Sequence, residues 1–157
     1  MKAMIMLCDY AQVHGGKLYA TGAAISMVPP VDRKPPHAIS LYAAIIVTVP
    51  WQSHDQLHKV TVSLVDEQGA KVRIAQPLAG AQTDPDDEGS LVARFVAGRS
   101  PIMQAGDETL LAVAVPLSVT VPRLGAYQAI VQVDDTELAA ARFRVIQPQA
   151  IGLSSGR

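Results

Sequence analysis

Cysteine is nearly missing from this chain of 157 residues, in which Cys8 stands alone. A single thiol excludes an internal disulfide framework and any zinc site built on several cysteines. Charge is sparse as well: 13 Lys and Arg against 14 Asp and Glu, a net charge of −1. A nucleic-acid binder needs a concentrated basic surface to displace counterions from phosphates, so no nucleic-acid partner is expected. Large aromatics are few, namely Trp51, Phe95, Phe143 and four tyrosines. Long apolar runs are absent too. Residues 41–49 and 110–121 are the longest, the second interrupted by Pro116, whereas a spanning helix needs roughly 20 residues. The apolar stretch before Asp9 is too short for the core of a signal peptide, and Leu7 is too large to precede a lipidated cysteine. These absences lead to the expectation of a soluble, cytoplasmic protein without a membrane span.

What remains is an apolar half of unusual make-up. Residues of the hydrophobic class make up 49% of the chain, with 23 Ala and 18 Val. Valine favours strands because its branched Cβ suits a pleated surface, while alanine favours helix, so composition leaves the class open. Periodicity decides it. Leu117, Val119 and Val121 alternate with Ser118 and Thr120; Tyr127, Ala129, Val131 and Val133 alternate with Gln128, Ile130 and Gln132; Ala141, Phe143 and Val145 follow with Arg142 and Arg144 between them. One apolar face and one mostly polar face per run indicate antiparallel strands covered on one side. Asp134-Asp135-Thr136 reads as a hairpin connection, and His14-Gly15-Gly16 as another between runs 4–13 and 17–27.

The middle of the chain repeats the theme. Val60, Val62 and Leu64 form one face; a turn at Asp66-Glu67-Gln68-Gly69 leads to a return strand carrying Val72 and Ile74; Leu91, Ala93 and Phe95 form another face. The more continuously apolar 38–49 reads as a central strand buried on both sides. No amphipathic stretch of helical length occurs. The expected fold is all-β: an antiparallel β-sandwich with Greek-key connections and eight to nine strands, Ig-like or C2-like. It forms a single domain over 1–147, with 148–157 as a flexible tail. Prolines fall between the strands except Pro116, which implies an edge strand or a bulge.

The order of segments has a counterpart among known proteins. The opening Met4-Ile5-Met6-Leu7-Cys8-Asp9-Tyr10-Ala11-Gln12-Val13, then Gly16-Lys17-Leu18-Tyr19, Thr21-Gly22, Val49-Pro50-Trp51 and the closing Leu124-Gly125-Ala126-Tyr127 with Val131-Gln132-Val133-Asp134, resembles a family of short, functionally uncharacterised bacterial, mostly actinobacterial, proteins. The resemblance spans most of 4–147. It implies the sandwich fold and a bacterial cytoplasmic setting, and it carries no catalytic residue.

Candidate sites each have a bland alternative. Tyr127, entering a strand after Leu124-Gly125-Ala126, reads as the tyrosine corner of Greek-key sandwiches rather than as a catalytic acid. The acidic run Asp84, Asp86, Asp87 and Glu88 offers oxygens to Ca²⁺, but six to eight ligands normally come from more than one loop, so a solvated loop tip is the default. His54 and His58, four apart on a strand, sit about 13 Å from each other, too far to chelate one ion; they and His14 and His37 are expected on the polar surface. Cys8 lies within an apolar strand as a small hydrophobe rather than a nucleophile. Trp51 either caps the core rim or is an exposed anchor for a partner. No nucleophile elbow, phosphate loop or dinucleotide fingerprint occurs, and no cofactor is expected.

Function follows mainly from that list. The expected protein is a non-enzymatic structural or interaction module that associates with itself or with a protein partner, because so few charges leave limited polar surface to cover two sheets. The alternative is a ligand-binding module using the long connections 28–37, 77–89 and 97–108 to hold Ca²⁺, a carbohydrate or a lipid headgroup.

Overall fold

The computed structural model of the chain describes residues 1–74, 82–84 and 87–147, with 82–84, 87 and 88 described by backbone alone. In chain order its strands are β1 (Lys2–Cys8), β2 (Tyr10–His14), β3 (Lys17–Thr21), β4 (Met27–Val28), β5 (His37–Pro50), β6 (Leu57–Asp66), β7 (Gln82–Asp84), β8 (Asp87–Val96), β9 (Glu108–Val121), β10 (Gly125–Val133) and β11 (Thr136–Val145). The only helical element among the described residues is a 3-10 turn, Trp51–Ser53. The chain is therefore all-β, as its period-two alternation predicts.

Two sheets carry the core. One is three-stranded in the order β1-β5-β9, the other six-stranded in the order β4-β11-β10-β6-β8-β7. Alternation assigns the facing sides. On β5, Ile39, Leu41, Ala43, Ile45, Val47 and Val49 are buried, and on β9 so are Val115, Leu117, Val119 and Val121. On the larger sheet, Val60, Val62 and Leu64 meet Tyr127, Ala129, Val131 and Val133 across the β6–β10 ladder. All of these belong to one hydrophobic cluster, so the two sheets share one interior. Each buried Val, Leu or Ile contributes about 1.5–3 kcal/mol relative to exposure.

Several elements depart from expectation. There are eleven strands among the described residues, because β4 and β7 are too short to show a period and because the run 4–13 breaks at Asp9. There Leu7 and Cys8 are both buried, so the alternation slips phase as the chain leaves one sheet for the β2–β3 hairpin. Gly22 (φ 63°) closes that crossover; a Cβ on it would overlap the Asp9 carboxylate. The pairing of β4 with β11 is parallel, not antiparallel. The return after the 66–69 turn is only a start: Lys71 bridges Val65, and the Val72 N–H donates to the Leu64 carbonyl at 2.8 Å. From Ser63 back β8 holds that side of β6, and Ile74 instead bridges Val119 on β9; Val72 and Ile74 are both buried. β5 is the central strand of its sheet, yet its outer side is only partly covered, with Ser40 exposed. Pro116 lies on β9, an edge strand. Asp86 and the tail 148–157 lie outside the described residues, as do the side chains of Asp84, Asp87 and Glu88; the backbone places Asp84 opposite Asp87 where β7 turns into β8.

The Gly15-Gly16 turn of the small hairpin has φ 56° and 73°, the left-handed geometry of a two-residue loop. The turn between β10 and β11 has the same form without glycine: Asp134 and Asp135 stand at φ 49° and 62°. An aspartate there costs more than a glycine would. The reason lies in what the Asp134 carboxylate touches.

Candidate interaction face and the histidine-stapled end

On the outer side of the three-stranded sheet the register builds a strip. Met4 stands opposite Ile46, which stands opposite Ala112; Lys2, Thr48 and Leu110 form the next row, and Met6, Ala44 and Ala114 the row on the other side. The β2–β3 hairpin folds over one end of this face, where Cys8, Ala11 and Ala44 pack with Leu18, Tyr42 and Ala114. The other end is left open. Met4 is 55% and Leu110 65% exposed, and Met6, Ile46 and Ala112 are half-buried. Charge appears only at its margins, as Lys2 on β1 and Glu108 on β9, both exposed. Other exposed apolar side chains lie elsewhere: Leu57 and Val96 face each other across β6 and β8, Tyr10, Val13 and Tyr19 lie on the β2–β3 hairpin, and Val31 and Ile102 sit singly in connections.

The opposite character prevails at the end of the molecule where β5 leaves its sheet. After Pro50 the 3-10 turn begins with Trp51, half-buried beneath the Arg99 guanidinium, whose Cζ lies 4.2 Å from the ring centroid. Arg99 is fixed in turn by Asp55, whose Oδ1 accepts its backbone N–H at 3.0 Å and whose Oδ2 lies 3.6 Å from Nε. One face of the indole is thus covered by a cation at the rim.

Two histidines staple this end. His54, 2% exposed, shares its Nδ1 proton between the carbonyls of Pro50 (3.0 Å) and Trp51 (3.3 Å), and its Nε2 accepts from the Thr109 hydroxyl at 2.8 Å. His58, 4% exposed, faces an acceptor at each nitrogen: Asp134 Oδ2 at 2.7 Å from Nδ1 and the Ser53 carbonyl at 2.7 Å from Nε2. A neutral imidazole has one N–H, so satisfying both acceptors requires the imidazolium. Burial pulls the His58 pKa down, but the Ser53 and Asp134 hydrogen bonds and the Asp134 charge outweigh it, and the net shift is upward. For Asp134, burial raises the pKa, while the Lys59 N–H bonded to Oδ1 at 2.9 Å and His58 lower it further, so it moves down. Phe95, across the ladder from His58, lies against the ring at 5.3 Å between centroids.

The expectation of surface histidines is therefore corrected: His37, His54 and His58 are buried, and His37 too spends a nitrogen on a carbonyl, that of Asp32, 3.0 Å away. They bridge segments as far as 76 residues apart, a relation with no local signature. Nor does the His58–Asp134 couple serve as a base as it stands, because the outer nitrogen is closed by a carbonyl. Among the described residues no group of three or more His, Cys, Asp or Glu is placed to hold a metal ion.

Tyr127 is buried and its hydroxyl donates to the Arg123 carbonyl, four residues upstream, at 2.7 Å. Burial pushes this phenol up and away from any acid role near neutrality. Cys8 is fully buried, with its thiol toward the Tyr42 carbonyl at 3.6 Å, and burial together with the Asp9 charge raises its pKa. The connections 28–36 and 97–107 do not meet, and most of 77–89 lies outside the described residues. His37 pairs with Val121 and Pro50 with Glu108, so 28–36 and 97–107 leave from opposite ends of β5. No helix among the described residues is long and apolar enough to cross a membrane.

Fold and face together define an all-β protein with a two-sheet interior and an open apolar strip on its smaller sheet. A family of unknown function, DUF6941, matches residues 3–146, and the chain belongs to that family. No curated protein and no solved structure matches the chain.

Proposed function

We propose that the protein is a non-catalytic β-sandwich of Greek-key type, acting in a bacterial cytoplasm, that associates with a second copy of itself through the outer face of the three-stranded sheet. The observation that carries this reading is the strip of Met4, Ile46 and Leu110, apolar and open across the three adjacent strands of one sheet. A flat, uncharged patch is self-complementary, as a two-fold interface requires. The margins select the axis. A two-fold running along β5 lays β1 of one copy over β9 of the other, so that Lys2 of each copy falls about 7 Å along the strand from Glu108 of the other, given the rise per residue. From the same spacings the strip covers about 200 Å², against roughly 800 Å² per partner in a standard interface, so the dimer is a weak one that also enlists the hairpin beside it.

Light scattering and sedimentation over roughly micromolar to millimolar protein test this. The expected result is a concentration-dependent dimer that Leu110→Lys abolishes, that Lys2→Glu weakens, and that Lys2→Glu with Glu108→Lys restores. A wild-type protein that stays monomeric throughout overturns the reading.

A further inference from the structure

A second surface, on the other sheet, carries charge instead of apolar area. A cleft of about 850 Å³ lies where β6 ends in the turn at 66–69, with Ala126, Gln128, Arg142, Arg144 and Ser26 around it. That volume is in the range of small-molecule sites. Its concavity has a simple origin. Ala126 sits opposite Arg144, and Gln128 lies between Val65 and Arg142, so a residue without bulk occupies the middle of a face whose neighbours are long.

The charges around the cleft are not balanced. Asp66 is saturated: Oδ1 accepts the backbone N–H groups of Gln68 and Ala70, both at 2.9 Å, and Oδ2 pairs with Arg123 at 3.3 Å. Glu67 is spent on the same Arg123 guanidinium at 3.8 Å. Arg142 and Arg144 stand on alternate positions of β11, hence on one face and about 7 Å apart. Both are exposed, and neither guanidinium has a hydrogen-bond or ion-pair partner among the described residues. The acidic wall has its cation already; the basic wall has no anion.

We infer that this cleft binds a small organic anion, its carboxylate or phosphate head held by the Arg142 and Arg144 guanidinium forks and its apolar body lying on Ala126 and Val65. Planar forks at this spacing match oxyanions with two or more acceptor oxygens. The inference is independent of self-association, which uses the other sheet.

Amide NMR of the full chain tests it with three probes that share an aromatic body: phenyl phosphate, benzoate and the neutral benzyl alcohol. Phenyl phosphate, benzoate or both are expected to shift the Ala126, Gln128 and Gly69 amides with about millimolar affinity, as befits a fragment. Which anion binds more tightly identifies the head group, and benzyl alcohol leaves the amides in place. The double variant Arg142→Gln with Arg144→Gln weakens binding about ten-fold or more, since charge-assisted bonds are lost. Ala126→Leu fills the cleft and removes binding without touching charge. Anions that shift none of these amides, shifts that survive in the arginine variant, or equal binding of all three probes would overturn the inference. The arginines are exposed and unpartnered, so their variant folds and the test stands even if Ala126→Leu does not.

Discussion

Replacing Asp134 by Asn removes one charge and leaves almost everything else in place, which makes it the sharpest probe of the His58 network. Asn tolerates the left-handed turn conformation at φ 49° as well as Asp does. Its carbonyl still accepts the Lys59 N–H, and its amide is turned toward His58 Nδ1. That amide is a donor, so it suits a neutral imidazole that donates through Nε2 to Ser53 and repels the imidazolium favoured by the wild type. A charge-assisted hydrogen bond is worth about 1.5–3 kcal/mol; with the Asp134 side chain 46% exposed, solvent screening reduces this to about 1–1.5 kcal/mol. The sign of the pH dependence follows from both partners. The His58 pKa is raised above 6.5 in the folded state, so its contribution is complete below that value and fades as pH rises through the folded pKa. The Asp134 pKa is lowered below 3.8, so its contribution is present above that value and is lost as pH falls through the folded pKa. The pair is worth most between about pH 4 and 6.5.

Chemical denaturation followed by the fluorescence of Trp51, run at about pH 5.5 and again near pH 9, measures the difference. The variant is expected to be less stable by about 1–1.5 kcal/mol at the lower pH, or about 2–6 °C in melting temperature for a domain of this size. At the higher pH the gap closes, because wild-type His58 has then lost the proton that one acceptor needs while the asparagine network remains satisfied. A gap that is the same at both pH values, or a His58 titration midpoint at or below 6.5, refutes the reasoning.

Two further outcomes are expected. Tyr127→Phe removes the bond to the Arg123 carbonyl and should lower stability by about 0.5–1.5 kcal/mol without altering the far-ultraviolet spectrum; a melt superimposable on wild type would show that this hydroxyl does not secure the β9–β10 crossover. Arg99→Gln uncovers the Trp51 ring, so emission should shift to the red and acrylamide quenching should increase, whereas unchanged quenching would mean that Arg99 does not shield the indole in solution.

Alternation along the chain identifies faces well and neighbours poorly. The buried sets on β5, β9, β10 and β11 stand at the positions where Val, Leu and Phe recur every second residue, because a strand beside a core has no other way to hide them. Which strands lie side by side is a different matter. Val72 and Ile74 alternate like a hairpin return, yet the return stops after Lys71 and Val72 because β8 holds the rest of that side of β6, and nothing in their own spacing reports it. The open strip was half legible. The continuously apolar 38–49 suggests that both sides of β5 meet something, but only the register shows that the hairpin covers Ala44 and stops short of Ile46. The histidine network was nearly hidden, since His58 finds its partners in a carbonyl before it and a carboxylate 76 residues after it. One local sign existed, an Asp-Asp pair in a two-residue turn where glycine or asparagine is the usual occupant.

Pro116 bears on how many copies an assembly can hold. β9 is fourteen residues long and lies at a sheet edge, a shape that invites a neighbouring chain to add a strand, and then another, without limit. Proline has no N–H to offer, so a ladder growing along that edge is interrupted partway, whereas contact through the sheet face is untouched by it. Edge addition propagates, while a face related to itself by a two-fold axis is used up once two copies have met. One imino acid therefore biases the molecule toward closed pairs and away from fibres.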